Sequence, residues 1–172
     1  FADTSTDALW RVNLADASIS PYVSATTIMA LTGEDSVQIL SPSTPGANAD
    51  HYFYEGRSDS ILRTNGAGVV ETYVSNAQLN ALTGNDSVSG GITFDGAGDL
   101  YWASNSSDAM YKWDGAAGSE VLNAASIGAL TGETSAGFGD IFHAPNGRIY
   151  FYETAADSIL SFDPADPAGS LA

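Results

Sequence analysis

Gly91-Ile92-Thr93-Phe94-Asp95-Gly96-Ala97-Gly98-Asp99-Leu100-Tyr101-Trp102-Ala103 runs through Ser104-Asn105-Ser106-Ser107-Asp108 into Ala109-Met110-Tyr111-Lys112-Trp113. Short apolar and aromatic runs alternate here with turns built from Gly, Asn, Asp and Ser. That alternation marks consecutive antiparallel hairpins. Gly91–Asp95 is the candidate inner strand A, Leu100–Ala103 strand B and Ala109–Trp113 strand C. The turn Asp114–Gly118 then leads to Glu120–Leu122 as strand D.

The same grammar recurs. Asp before a small and then an apolar residue appears at Asp7, Asp59, Asp108 and Asp157, with steps of 52, 49 and 49 residues. Ala-Leu-Thr-Gly appears at Ala30, Ala81 and Ala129, with steps of 51 and 48 residues. Two markers on one beat define a repeated unit of about 50 residues, and repeats fix architecture before other signals do. Four short strands per unit, repeated, are the blades of a β-propeller. The expectation is an all-β chain of about three and a half four-stranded blades, near residues 1–23, 37–74, 88–122 and 138–172, with short helical turns between them. In the second unit strand A is expected over Val37–Leu40, before a long turn over 41–50. In the fourth, Gly169–Ala172 is expected to begin strand D.

Each blade junction carries a Ser/Asn opening, two apolar residues three apart and a closing Gly. The apolar pairs are Ile28/Leu31, Leu79/Leu82 and Ile127/Leu130. This pattern predicts one or two helical turns with a glycine stop. Both apolar residues are expected to plug the gap between blades.

The stretch Gly91–Ala103, with Asp108–Trp113, resembles a blade of the NHL/YVTN/gluconolactonase-like propellers. In that group an inner strand ends in Asp, a Gly turn follows, then Leu-Tyr-apolar-Ala, then a turn into an apolar-basic strand. The resemblance covers essentially the whole chain. The Ala-Leu-Thr-Gly helices depart from the tight D-to-A link of that group. The resemblance implies a ring of six or seven blades, and members include lyases, sugar-lactone hydrolases, ligand sensors and interaction scaffolds. At about 50 residues per blade a closed ring needs more than 172 residues. Aligned on the later repeats, Phe1 falls inside a strand. The chain is therefore expected to be a piece of a longer protein, or one part of a ring completed by additional blades, a protein partner or a homo-oligomer.

The 172 residues carry 21 acidic and 5 basic side chains, a net charge of −16. Such a surface repels nucleic acid and anionic membrane and attracts cations and basic partners. No apolar run is long enough to span a bilayer as a helix. Without cysteine there is no disulfide, thiolate metal site or cysteine nucleophile. An extracellular or periplasmic location is the expectation.

Propeller ligands commonly sit on the face formed by the B–C and D–A connections. That face is expected to carry Asp7, Asp59, Asp108 and Asp157 from the B–C turns, with Glu34 and Glu133 after the helices, as a partner-binding surface. Asp35, Asp86, Asp108 and Asp140 are candidates for holding a hard cation such as Ca²⁺, since carboxylate oxygens suit it. The competing reading makes each turn Asp a structural residue whose side chain bonds backbone amides. Recurrence in every unit favours it. No calcium loop, nucleophile elbow or phosphate loop is present. His143, with Asp140 and Arg148, is the only local cluster of acid–base character. The favoured reading is a non-enzymatic scaffold or recognition module without a cofactor. The alternative is a lactonase- or lyase-type enzyme whose channel residues lie partly outside this chain.

Overall fold

The computed structural model describes residues 2–3, 6–39, 44–45, 50–85 and 88–172. Among them are fourteen strands and three helices, and every sheet is an antiparallel meander. The chain divides into two compact units, Phe1–Asn76 and Ala77–Ala172.

In the first unit, β1 (Ala2–Asp3), β2 (Ala8–Val12) and β3 (Ile19–Val23) form one sheet. The second sheet joins β4 (Thr44–Pro45), β5 (His51–Glu55), β6 (Ser60–Thr64) and β7 (Val70–Val74), with α1 (Ala25–Thr32) between the two. Of the inner strand expected over Val37–Leu40, Ile39 makes a bridge to Glu55, and Leu40 lies outside the described residues. The paired inner strand is β4, with Thr44 opposite Tyr52 and Pro45 opposite His51. A proline lacks the N–H that ladders need, but it is tolerated on an edge strand. Leu9 and Val23 of the first sheet pack against Phe53 and Leu62 of the second, with Ile28, Val37 and Ile39 completing the cluster.

The second unit opens with α2 (Asn76–Thr83). Its first sheet holds β8 (Ser89–Phe94), β9 (Leu100–Ser104), β10 (Ala109–Trp113) and β11 (Gly118–Asn123). After α3 (Ala124–Thr131) come β12 (Phe138–His143), β13 (Ile149–Glu153) and β14 (Ser158–Phe162). On the free side of β14 the amides and carbonyls of Ser161 and Ala172 exchange two hydrogen bonds of 2.9 and 3.0 Å. Tyr101, Ala103, Met110 and Leu122 of one sheet meet Ile141, Ile149, Phe151, Leu160 and Phe162 of the next. The inner strands approach closely. A Cβ on Gly90 would lie 1.9 Å from the Gly139 carbonyl oxygen, and Gly90 has φ +70°, so only glycine fits. Asn105 clasps the same junction. Its Oδ1 accepts from Phe138 N at 2.7 Å and its Nδ2 donates to Phe138 O at 3.3 Å.

The Ala-Leu-Thr-Gly segments are helix ends. The threonine hydroxyls of Thr32, Thr83 and Thr131 donate to the carbonyls four residues back, at 3.1, 2.9 and 3.1 Å. The same oxygens accept the amides of Glu34, Asn85 and Glu133. Gly33, Gly84 and Gly132 then take left-handed φ of 79, 70 and 85°, the usual helix stop. Of the apolar pairs, the first residue is buried in each helix, while the second is exposed in α1 and α3 and half-buried beside Gly118 in α2. Ile28, Leu79 and Ile127 are fully buried, whereas Leu31 and Leu130 are 39 and 49 % exposed.

Candidate functional site

The four recurring aspartates share one backbone state. Asp7, Asp59, Asp108 and Asp157 have φ of 51, 47, 52 and 49°. Left-handed backbone is costly for most residues and least so for Asn, Asp and Gly. The turn therefore selects Asp for its backbone. Two of the side chains brace the preceding strand: Tyr54 Oη donates to Asp59 Oδ1 at 2.7 Å, and Tyr152 Oη to Asp157 Oδ1 at 2.6 Å. The bond to Asp157, ahead of burial, pushes the Tyr152 hydroxyl above its ordinary value.

In two of these turns the amides are held by a buried glutamate that sequence reasoning passed over. Glu55 Oε1 accepts from Gln38 N at 2.7 Å and Arg57 N at 3.2 Å. Its Oε2 accepts from Ser58 N and Ser58 Oγ, both at 2.8 Å. Glu153 repeats the motif on Gly137 N, Ala155 N and Ala156 N, at 2.8, 3.3 and 2.5 Å. Both glutamates are fully buried. A Phe-Tyr-Glu triplet at 53–55, echoed at 151–153 by Phe-Tyr-Glu, was the available signal.

An open pocket of about 410 Å³ lies in the second unit, lined by Asp95, Asp99, Lys112, His143, Gly147 and Asp163, among others. These residues follow β8 and β12, precede β9, or end β10 and follow β14. In an antiparallel meander those points share one edge of the sheet. The turn residues Asp108 and Asp157 sit at the opposite edge. Lys112 Nζ donates to Asp99 Oδ2 at 2.8 Å, and that bond holds the ammonium above its ordinary range. Asp95 Oδ1 accepts from Ala97 N and Asp99 N, both at 2.9 Å, while Tyr101 Oη donates to Oδ2 at 3.3 Å. Burial, then the charges of Asp95 and Asp99, drives the Tyr101 hydroxyl far above its usual value. His143 N donates to Thr93 Oγ1 at 3.1 Å, tying β12 to β8. The His143 side chain has no such commitment. Its Nε2 is buried with no hydrogen-bond partner among the described residues, a state shared only with the indole nitrogens of Trp102 and Trp113.

The cluster of His143 with Asp140 and Arg148 is redrawn. Asp140 is exposed on β12. Arg148 is anchored to Ser161 Oγ at 3.0 Å, Ser161 O at 2.9 Å and Ser170 O at 2.8 Å, so it staples strands. His51, the other histidine, packs edge-on against Tyr22 at 5.7 Å between ring centres. Of the cation candidates, Asp35 follows α1, Asp108 sits in a turn of the second unit and Asp140 lies in a strand; Asp86 is outside the described residues. Glu34 is half-buried and Glu133 exposed, each just past a helix end. No group of three or more His, Asp or Glu able to hold a metal exists among the described residues.

No protein-family model matches the sequence, and no curated protein matches it. Solved structures do. Virginiamycin B lyase from Staphylococcus aureus superposes with a TM-score of 0.63 at 15 % identity, over 98 % of this chain and 48 % of that one. A catalytically inactive variant of that lyase, with one histidine changed to alanine and solved with quinupristin, gives 0.60 at 16 % identity, over 96 and 51 %. Regucalcin from Agrobacterium tumefaciens, a calcium-binding protein, gives 0.60 at 9 % identity, over 94 and 52 %. The fold is a β-propeller. A luciferin-regenerating enzyme matches as well, with a TM-score of 0.59 at 9 % identity, over 90 % of this chain and 50 % of that one. The chain spans about half the length of these propellers. The expectation of a non-enzymatic scaffold is corrected here. Lyases and a luciferin-regenerating enzyme stand among the matching structures, and they favour the enzyme alternative over the scaffold.

Proposed function

We propose that this chain is part of a propeller enzyme of the lactonase or lyase type, acting by proton transfer on a cyclic ester, and that it is allied to the gluconolactonase-like propellers. The observation that carries the reading is His143, whose buried Nε2 has no partner in a pocket lined by three aspartates and a lysine. A buried polar atom left unpaired costs on the order of 1–3 kcal/mol. A bound substrate group that meets Nε2 removes that cost. A neutral imidazole has one donor and one acceptor nitrogen, so it can take a proton and return it.

In the lactonase form His143 removes a proton from water as the water oxygen adds to the ester carbonyl. The ring C–O bond then breaks, and the proton passes to the departing alkoxide. In the lyase form His143 removes a proton from the carbon next to the one bearing the ester oxygen. The C–H electron pair becomes a C=C bond as the C–O bond breaks to release a carboxylate. Lys112, held by Asp99, places positive charge at the pocket wall where negative charge develops on oxygen. The described residues form no metal cage, and neither step is routed through an ion. Further channel residues would come from blades beyond those of this chain.

The test is turnover of quinupristin and of a panel of aldonolactones, followed by product mass. Addition of one water identifies hydrolysis, and unchanged mass with a new double bond identifies elimination. Replacing His143 with Ala should lower kcat at least about 100-fold, the usual size of a general acid–base contribution. A His143→Ala protein that turns over as fast as the parent sinks the assignment, and so does failure of every cyclic ester to react.

A further inference from the structure

The pocket around His143 holds more negative charge than its turns need. Asp95, Asp99 and Asp163 line it against a single lysine, Lys112, a surplus of two negative charges when the imidazole is neutral. The three acids are not equivalent. Asp95 has both oxygens engaged, Oδ1 by two backbone amides and Oδ2 by the Tyr101 hydroxyl. Asp99 is paired with Lys112 at 2.8 Å, which cancels one charge of each sign at the wall. Asp163 spends Oδ1 on Ala165 N at 2.9 Å, and its Oδ2 meets neither a donor nor a cation among the described residues.

The Asp163 charge is surplus to the fold. The same turn position is Asn13 and Asn65 in the first unit, and each accepts the amide two residues on through Oδ1, at 3.0 Å in both. An amide oxygen therefore suffices for the turn, and the second oxygen of Asp163 has no structural task. Its field still reaches inward. Burial first, then the charges of Asp95 and Asp99, and last that of Asp163, raise the Tyr101 hydroxyl. Beside His143 there is also room. A Cβ on Gly96 would stand 3.9 Å from His143 Cε1, an ordinary contact, with nothing nearer. The space over Gly96 thus admits a small ring that touches the imidazole.

Resting on the lactonase or lyase reading, we infer that this pocket selects a cyclic ester that carries a positive charge. The ester ring lies over Gly96 against His143, and its ammonium group sits on Asp163 Oδ2. A cleft lined mainly by one sign of charge focuses field lines and concentrates the opposite ion. The Asp99–Lys112 pair is neutral as a unit and does not offset this. The net charge of −16 over the whole chain draws the same substrate in and repels an anionic ester.

The probes are α-trimethylammonio-γ-butyrolactone, whose charge is fixed at every pH, and its uncharged isostere α-tert-butyl-γ-butyrolactone. Each is titrated into the 172-residue chain while the His143 Cε1–H resonance is followed by nuclear magnetic resonance. The chain has two histidines, and His51 in β5 serves as the reference. At about 20 mM salt the cation should bind at least about 10-fold tighter than the isostere, and the ratio should shrink at about 0.5 M salt. Asp163→Asn, a change the turn already accepts in two other repeats, should bring the ratio to about 3-fold or less. Asp157→Asn removes one charge at the opposite edge and should leave the ratio as it was. Gly96→Leu fills the space beside His143 and should abolish the His143 response to both probes. Equal binding of the two probes overturns the inference, as does an Asp163→Asn ratio equal to the parent's. No His143 response to the cation at about 10 mM, a very weak affinity, overturns it too. Turnover is scored separately. Two lactones that stay intact while the cation binds more tightly sink the enzyme reading and leave the charge selection standing. Two lactones that react with no difference in binding do the reverse.

Discussion

Removing the Glu55 carboxylate tests whether the turn between β5 and β6 is held by this buried acid. Glu55→Ala deletes four hydrogen bonds at once, from three backbone amides and the Ser58 hydroxyl. Hydrogen bonds to a charged group are each worth about 1.5–3 kcal/mol, and an orphaned buried donor costs about 1–3 kcal/mol. Simple addition overstates the loss. Gln38 and Arg57 are exposed residues, so water can reach part of the vacated network, and the desolvation cost of the carboxylate is also relieved. A net loss of about 3 kcal/mol follows. For a chain of this size that lowers the melting temperature by roughly 6–12 °C. Glu55→Gln is the sharper probe, because it keeps the shape. One oxygen becomes an NH₂ group that faces the Ser58 amide, donor against donor, so a loss of about 2 kcal/mol is expected. Urea unfolding, followed by tryptophan fluorescence and by far-ultraviolet dichroism, gives both values. A Glu55→Gln protein as stable as the parent would show that the turn does not depend on the acid's second acceptor, and the reasoning fails.

Two further outcomes follow from the electrostatics. The Tyr101 pKa is raised in the folded state, so the stabilisation tied to its proton is complete below the unfolded tyrosine value of about 10 and is lost as pH rises through the folded one. Lys112 is raised as well and acts in the same direction. Stability should fall as pH rises above about 10, and Tyr101→Phe should flatten that fall; an unchanged slope would remove Tyr101 as its source. The melting temperature should not move between EDTA and millimolar CaCl₂ beyond the change given by equal ionic strength of NaCl. A specific rise would reveal a calcium site that the described residues do not form.

The fold was legible because two markers kept one period, and period does not depend on knowing what each residue does. The site was less so, for reasons tied to particular residues. The turn aspartates stood out by their spacing, and their left-handed backbone accounts for the recurrence. Glu55 and Glu153 went unnoticed because an acid at a strand end reads as exposed, and only the fold shows it buried. In the second sheet the paired segment Thr44–Pro45 fell within the expected turn because Pro45 reads as a loop residue, although an edge strand tolerates it. His143 was noticed in the wrong company. Its pocket neighbours Asp95 and Asp99 come from the preceding repeat, more than forty residues away, and spacing within one repeat could not supply them.

Recurrence also sorts the pocket. The turn after each strand C carries Asn13, Asn65, Asp114 or Asp163, each accepting the amide two residues on, at 3.0, 3.0, 2.9 and 2.9 Å. Asp163 is therefore a turn residue before it is a site residue. The Asp99–Lys112 pair has its counterpart in Asp50–Arg63, at 3.7 Å, so it too belongs to the common framework. Asp95 spends both oxygens on its own turn and on Tyr101. His143 is different. Register places it where the other sheets have Phe94 and Pro45, neither of which can move a proton. A repeat protein acquires an activity by departing from its own pattern, since what every repeat shares is what every repeat needs to fold. In this pocket the departure that carries acid–base chemistry is a single imidazole, with its Nε2 unpaired. The enzyme reading consequently stands or falls on His143 and not on the acidic residues around it.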